Sequence, residues 1–148
     1  MAGRHPIAVR EIDHLVLRVR DEPRMTRFYQ EVLGCRVERR QDGIGLVQLR
    51  AGRSLIDLVP VDGKLGRAGG AAPEPDLAAG GRNLDHLCLR VDPFDEAAIR
   101  AHLAAHGVAA GETASRYGAE GEGPSIYLDD PEGNTVELKG PPAESPSI

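Results

Sequence analysis

Apolar positions along this chain follow first a period of two, then of three to four, then of two again, and the whole succession runs through twice. Residues 11–19 are dominated by Ile, Leu and Val with charges near the ends, which predicts a strand. Asp21 and Pro23 supply a capping carboxylate and a proline suited to a first helical turn. Met25, Phe28, Tyr29, Val32 and Leu33 then keep the i, i+3, i+4, i+7, i+8 spacing of an apolar helix face, and Gly34 provides the stop. Residues 35–39, 45–50 and 54–60 read as three further strands, with turns at Asp42-Gly43 and Ala51-Gly52-Arg53. The second half repeats the order. A strand over 84–91 leads to a helix start at Asp92-Pro93, a helix over 96–106 stopped by Gly107, and strands over 108–112, 125–129 and 135–139.

The repeat is also literal. Asp13-His14-Leu15-Val16-Leu17-Arg18-Val19 returns as Asp85-His86-Leu87-Cys88-Leu89-Arg90-Val91, about half of the 148-residue chain later, and the two glycine stops keep that offset to within one residue. Several aligned landmarks make this an internal duplication rather than a chance match. The expected fold is α+β, built from two βαβββ modules over residues 10–61 and 83–140. Residues 62–82, with six Gly and two Pro, form the expected linker, and 141–148 an expected disordered tail.

Composition narrows the partners. Only 3% of residues are aromatic and none is Trp, which leaves little to stack on exposed bases. The net charge of −5 supplies no broad basic field for nucleic acid or an anionic membrane. Neither a signal-peptide-like apolar run nor a stretch of 18 apolar residues occurs, so the expectation is a cytoplasmic protein with a small-molecule partner, not a membrane one. Cys35 and Cys88 fit neither a redox pair nor a zinc knuckle, and Cys88 reads as a small buried apolar residue.

Candidate chemistry lies on the strands. Period two puts His14, Val16 and Arg18 on one face of the first strand and His86, Cys88 and Arg90 on one face of its copy. In the last strand of each half, Asp57 and Glu137 sit among apolar neighbours, where a buried acid is costly unless paired. One divalent cation would satisfy both histidines and both acids. Imidazole with carboxylate suits Zn, Ni, Fe, Mn or Co rather than Ca or Mg. Arg18 and Arg90 would pair with acids at a rim or anchor an anionic substrate, and Gln48, Arg50 and Tyr127 are lining candidates by strand position. His102 and His106, at i and i+4, read as an exposed helix face, since no Glu adjoins His102 as a protease motif requires. His5 lies near the chain start.

Taken together, Ile12-Asp13-His14-Leu15, Phe28-Tyr29-x-x-x-Leu33-Gly34, Leu84-Asp85-His86-Leu87 and the stretch from Ser125 to Leu138, with its Asp130-Pro131-Glu132-Gly133-Asn134 turn, resemble the vicinal oxygen chelate superfamily, the glyoxalase, bleomycin-resistance and dioxygenase group. The resemblance covers roughly residues 10–140. It implies two βαβββ modules in an open, cupped mixed-sheet barrel around one metal held by His14, His86 and Glu137, with a fourth ligand falling at Asp57. Aspartate departs there from the usual Glu or Gln and is one methylene shorter, so it would reach the metal directly, through water, or not at all. Glu137 and Asp57 are the candidate proton-shuttling residues. The implied function is a metal-dependent lyase or isomerase of glyoxalase type. Alternatives are a ring-cleaving dioxygenase, disfavoured because such members commonly have four modules, a fosfomycin-type thiol transferase, and a metal-free drug-binding protein of bleomycin-resistance type. The resemblance also implies a homodimer, with sites within one chain or shared between two.

Overall fold

The computed structural model describes residues 5–71 and 83–143. Module 1 runs β1 (His14–Val19), α1 (Glu22–Glu31), β2 (Arg36–Gln41), β3 (Leu46–Ala51) and β4 (Ser54–Pro60), followed by one 3-10 turn at Gly66–Gly69. Module 2 runs β5 (His86–Arg90), α2 (Glu96–Ala105), β6 (Ala114–Gly118), β7 (Gly121–Asp129) and β8 (Thr135–Lys139). Each module is one four-stranded mixed sheet, in the orders β1-β4-β3-β2 and β5-β8-β7-β6. The duplicated βαβββ plan and the α+β class therefore stand as expected.

In each module the first strand pairs parallel to the last, and the other pairings are antiparallel. A parallel partner needs a crossover, which the helix and the two middle strands provide. Asp21 Oδ1 accepts from the Arg24 amide at 3.0 Å and starts α1, with Pro23 in its first turn. The helix α2 begins at Glu96 as expected; its cap is Asp95, whose Oδ1 accepts from the Ala98 amide at 3.0 Å, rather than the expected Asp92. Gly34 and Gly107 close the helices at φ 73° and 69°, a conformation that costs a residue with a Cβ.

Two expectations need correction. Residues 108–112 form no strand; β6 lies at Ala114–Gly118, and β7 begins at Gly121 rather than at Ser125. Val108 and Ala110 use their apolar groups to pack against the core, so that run is satisfied without a ladder. The close turn from Gly118 to Gly121, which pair with each other, instead sets the β6/β7 register. The start of the expected tail is also ordered. The Gly140 amide donates to Pro124 O and the Ala143 amide to Glu122 O, extending β8 along β7. The remainder of the expected linker (72–82) and tail (144–148) lies outside the described residues.

One hydrophobic core joins the modules: Leu17, Val19, Met25, Tyr29, Leu49, Ile56 and Leu58 pack in the same cluster as Leu103, Leu128, Val136 and Leu138. Polar contacts fix the junction. The Arg20 and Asp21 amides, just ahead of α1, donate to the two Glu132 carboxylate oxygens at 2.7 and 2.9 Å. The hydroxyl of fully buried Tyr29 donates to Asp130 Oδ2 at 2.9 Å. Asp130 also accepts from the Glu132 and Asn134 amides and from Asn134 Nδ2, so it organises the β7–β8 turn as well as the junction. Burial raises its pKa even against these four bonds, and burial pushes the Tyr29 hydroxyl well above its usual range.

Tyr29→Phe deletes one donor to a buried acid while keeping the ring. The expected loss is about 1–3 kcal/mol, seen as a Tm lower by roughly 3–10 °C in thermal unfolding. An unchanged Tm would show that the bond contributes nothing to holding the modules together.

Candidate metal-binding face

The parallel pairings decide where the chemistry meets. In module 1, Val16 of β1 stands opposite Asp57 of β4, and His14 is two residues earlier on the same face. In module 2, Cys88 stands opposite Glu137, with His86 in the equivalent place. On the far side of each acid, β3 sets Gln48 against Asp57 and β7 sets Tyr127 against Glu137. Each module thus carries a histidine, an acid and a cross-strand neighbour at matching positions.

The two histidines share a further device. His14 Nδ1 lies 2.8 Å from Asp13 Oδ2, and His86 Nδ1 lies 2.7 Å from Asp85 Oδ2. A carboxylate at Nδ1 holds the proton there and leaves Nε2 as the lone-pair donor, the usual outer-sphere arrangement behind a metal-ligating imidazole. Asp13 also raises the pKa of His14, with the charge of Asp57 adding a smaller push.

Expected ligands meet to different degrees. His86 Nε2 and Glu137 Oε2 are 3.3 Å apart, and Glu137 is 6% exposed. Asp57 is 4% exposed; its Oδ2 accepts from Gln48 Nε2 at 3.3 Å, while Oδ1 is buried with no partner. His14 is exposed and lies near enough to feel the Asp57 charge, but no hydrogen bond joins them. Among the described residues no three His, Cys, Asp or Glu side chains form a group able to hold a metal ion. The donors therefore stand as one pair in each module.

The chemistry of this donor set still fits a divalent transition metal. Each module presents an imidazole whose Nδ1 faces a carboxylate and a buried acid on the neighbouring strand, and the orphaned Asp57 Oδ1 is a costly feature that a cation would relieve.

Neighbouring residues depart from the sequence reading in instructive ways. Cys88 is exposed, not buried, because it shares the open face of β5 with His86. Partial burial of the sulfur and then the Glu137 carboxylate push its thiol up to about 11, so a thiolate nucleophile is not maintained. Cys35 is buried, with a thiol also at about 11. Arg18 donates to the carbonyls of Gly66, Gly70 and Ala71 rather than to an acid, whereas Arg90 pairs with Glu120 at 2.7 Å. Arg50 is taken up by Glu38 at 2.9 Å. Tyr127 lines the face as expected, its ring edge-on to His86 at 5.4 Å. His102 and His106 are exposed, their rings 4.7 Å apart, with His102 Nε2 2.9 Å from Val32 O. Sequence reasoning missed Arg116, which donates to Ser125 O and Oγ and stacks over Tyr127, and Lys139, which is buried. The only sequence signal for either was its parity on a strand.

Replacing the carboxylate behind His14 isolates its effect. In Asp13→Asn the imidazole loses the bond that favours its protonated form, so its pKa should fall toward the ordinary histidine value. Titration of the His14 ring proton by NMR checks this; an unmoved midpoint would show that Asp13 does not control that ring. Because the folded pKa is raised, the contribution of this pair is present at low pH and fades as pH rises through that value.

Solved structures resemble the chain over nearly its full length. An integron cassette protein from the mobile metagenome of V. cholerae is 29% identical, with 92% of this chain and 98% of that one covered and a TM-score of 0.69. An antibiotic-binding protein from a Streptomyces species is 24% identical, covering 91% and 98%, with a TM-score of 0.62. A lactoylglutathione lyase from Agrobacterium tumefaciens is 23% identical, covering 92% and 96%, also with a TM-score of 0.62. The sequence profile of one family matches residues 11–138. With its two βαβββ modules and that match, the chain belongs to the Glyoxalase/Bleomycin resistance protein/Dioxygenase superfamily.

Proposed function

We propose that this protein is a divalent-metal-dependent enzyme of the lyase or isomerase type, acting on a small oxygen-rich substrate. The observation that carries the reading is the duplicated Asp-His dyad, each Nδ1 engaged by a carboxylate, with a buried acid at the matching place on the neighbouring strand. His14, His86 and Glu137 would hold the metal, with Asp57 as the fourth donor through its unpartnered Oδ1. A bound divalent ion supplies Lewis acidity toward negative charge growing on a substrate oxygen.

The chain's own residues do the rest. Asp13 and Asp85 keep the imidazoles in one tautomer and orientation. Glu137, beside His86 on the same face, can accept a proton from a substrate carbon and return it to a neighbouring atom, which is the transfer an isomerase or lyase of this type requires. Asp57 is the second candidate for that transfer, with Gln48 holding its other oxygen in place. The Tyr127 ring screens one side of His86 from water.

We also propose a homodimer. β1 and β5 are edge strands, and Ile7, Val9 and Ile12, ahead of β1, are 70%, 83% and 74% exposed. Exposed apolar side chains beside an open sheet edge favour a covering partner. A dimer allows the His14/Asp57 pair of one chain to face the His86/Glu137 pair of the other. Among non-enzymatic readings, a metal-free binding protein is the strongest, since the donors stand as separate pairs and the antibiotic-binding protein shares the fold.

Elemental analysis of protein purified without chelator separates these readings. About one transition-metal ion per chain is expected. Removing an outer-sphere partner in Asp85→Asn should weaken metal affinity by about 10–100-fold, and His86→Ala should weaken it further. Protein that binds no metal under saturating Zn, Ni, Fe, Mn or Co would overturn the enzyme reading in favour of sequestration.

A further inference from the structure

Lys139 is the one lysine buried among the described residues, at 6% exposed, and no hydrogen bond or ion pair of its side chain falls within them. It stands two residues beyond Glu137 on β8, hence on the same face, about 6.6 Å along the strand. Two glycines make room for it. A Cβ at Gly118 would lie 2.7 Å from Lys139 Cε and 2.9 Å from Cδ, and one at Gly123 would lie 2.9 Å from Nζ. The stem therefore crosses the β6–β7 hairpin in a channel that any side chain at those positions would block. Among the described residues Asp57 Oδ1 is the one buried side-chain polar atom without a partner, so the Lys139 ammonium, which has none among them either, keeps contact with solvent at the end of its channel.

The surroundings are cationic. Arg90 is the β5 partner of Lys139 and Ser125 its β7 partner. Arg116 donates to Ser125 O at 2.9 Å and to Ser125 Oγ at 2.8 Å, with its guanidinium 4.5 Å from the Tyr127 ring centre, and it forms no ion pair with a carboxylate among the described residues. Among the described residues Glu120, paired with Arg90, is the one acid in an ion pair with any of these three cations. The duplication supplies an internal control. In module 1 the residue matching Lys139 is Val59, opposite Arg18 as Lys139 is opposite Arg90, and it is 5% exposed. The fold thus accepts an apolar side chain at this position and does not require a charge there.

We propose that Lys139, assisted by Arg116, binds an anionic oxygen group of the substrate, a carboxylate or a phosphate, one pleat away from Glu137. The inference rests on the reading of Glu137 as part of the metal-binding face, and it narrows the substrate class to small anions whose reacting oxygens lie a few bonds from the charged group. An ammonium with three free donors and a nearby guanidinium is suited to such a group. The match to Val59 marks the specificity as a property of module 2 alone.

NMR titration of metal-free protein with sodium phosphate, and separately with sodium acetate, at constant ionic strength tests this. Saturable shifts are expected at the amides of Gly123, Ser125 and Tyr127, and the anion that binds more tightly identifies the substrate group as phosphate or carboxylate. Lys139→Met should weaken that binding by at least about ten-fold with a Tm equal to or above that of the wild type, and Arg116→Gln should weaken it several-fold. His86→Ala, which removes a metal donor, should leave anion binding intact, and Lys139→Met should leave metal content intact. Equal binding by wild type and Lys139→Met, loss of binding in His86→Ala, or no saturable shift with either anion would overturn the proposal. Anion binding through Lys139 in a protein that takes up no metal would support it while removing the enzyme reading.

Discussion

Everything at the candidate site depends on one constraint: within each module the first strand hydrogen-bonds parallel to the last. Parallel neighbours share a face residue by residue, so the pleat brings a histidine near the start of β1 or β5 to the same surface as the acid in the middle of β4 or β8. Had either strand slipped by one residue, its acid or histidine would have turned to the opposite face and the two would no longer share a surface. The crossover through α1 or α2 makes the parallel arrangement possible, and one core contains residues of both helices and both sheets.

The three acids buried among the described residues show how differently the fold can treat a carboxylate. Asp130 receives four hydrogen bonds, from Tyr29, Glu132 and Asn134, and it fixes a turn and a junction. Glu137 faces the imidazole of His86 at 3.3 Å. Asp57 has one amide donor and one bare oxygen. A protein that can satisfy Asp130 so fully is not short of donors. The orphaned oxygen of Asp57 is thus the exception among these acids, and it is the atom on which the proposed fourth metal donor rests.

Much of this was legible in the chain because it depends on local pattern. Strands β4 and β8 fall where branched runs interrupted by one acid place them, and the helix stops fall at Gly34 and Gly107. What was not legible depends on neighbours distant in sequence. Val108 and Ala110 read as strand residues, but packing against the core satisfies apolar groups as well as a ladder does. The cap of α2 is Asp95 rather than Asp92, since two nearby aspartates offer similar caps and Asp95 is the one that accepts from an amide three residues on. Lys139 read as an ordinary charge at a strand end. Its burial comes from the bare backbones of Gly118 and Gly123 on the adjacent hairpin, which no local pattern around residue 139 can reveal. Cys88 read as buried by composition, whereas its parity with His86 places it on the open face.

Duplication makes the differences between the modules interpretable. The scaffold, the Asp-His dyad and the buried acid are shared, so they belong to whatever both halves do together. Around that frame the linings diverge: Val16, Gln48 and Val59 in module 1 stand where Cys88, Tyr127 and Lys139 stand in module 2. At these three positions module 1 presents apolar and amide side chains, and module 2 presents a thiol, an aromatic ring and a cation. A ligand that met equivalent halves would have no preferred direction. One that meets Lys139 and Arg116 on a single side is held one way round, and that orientation decides which of its atoms Glu137 can reach.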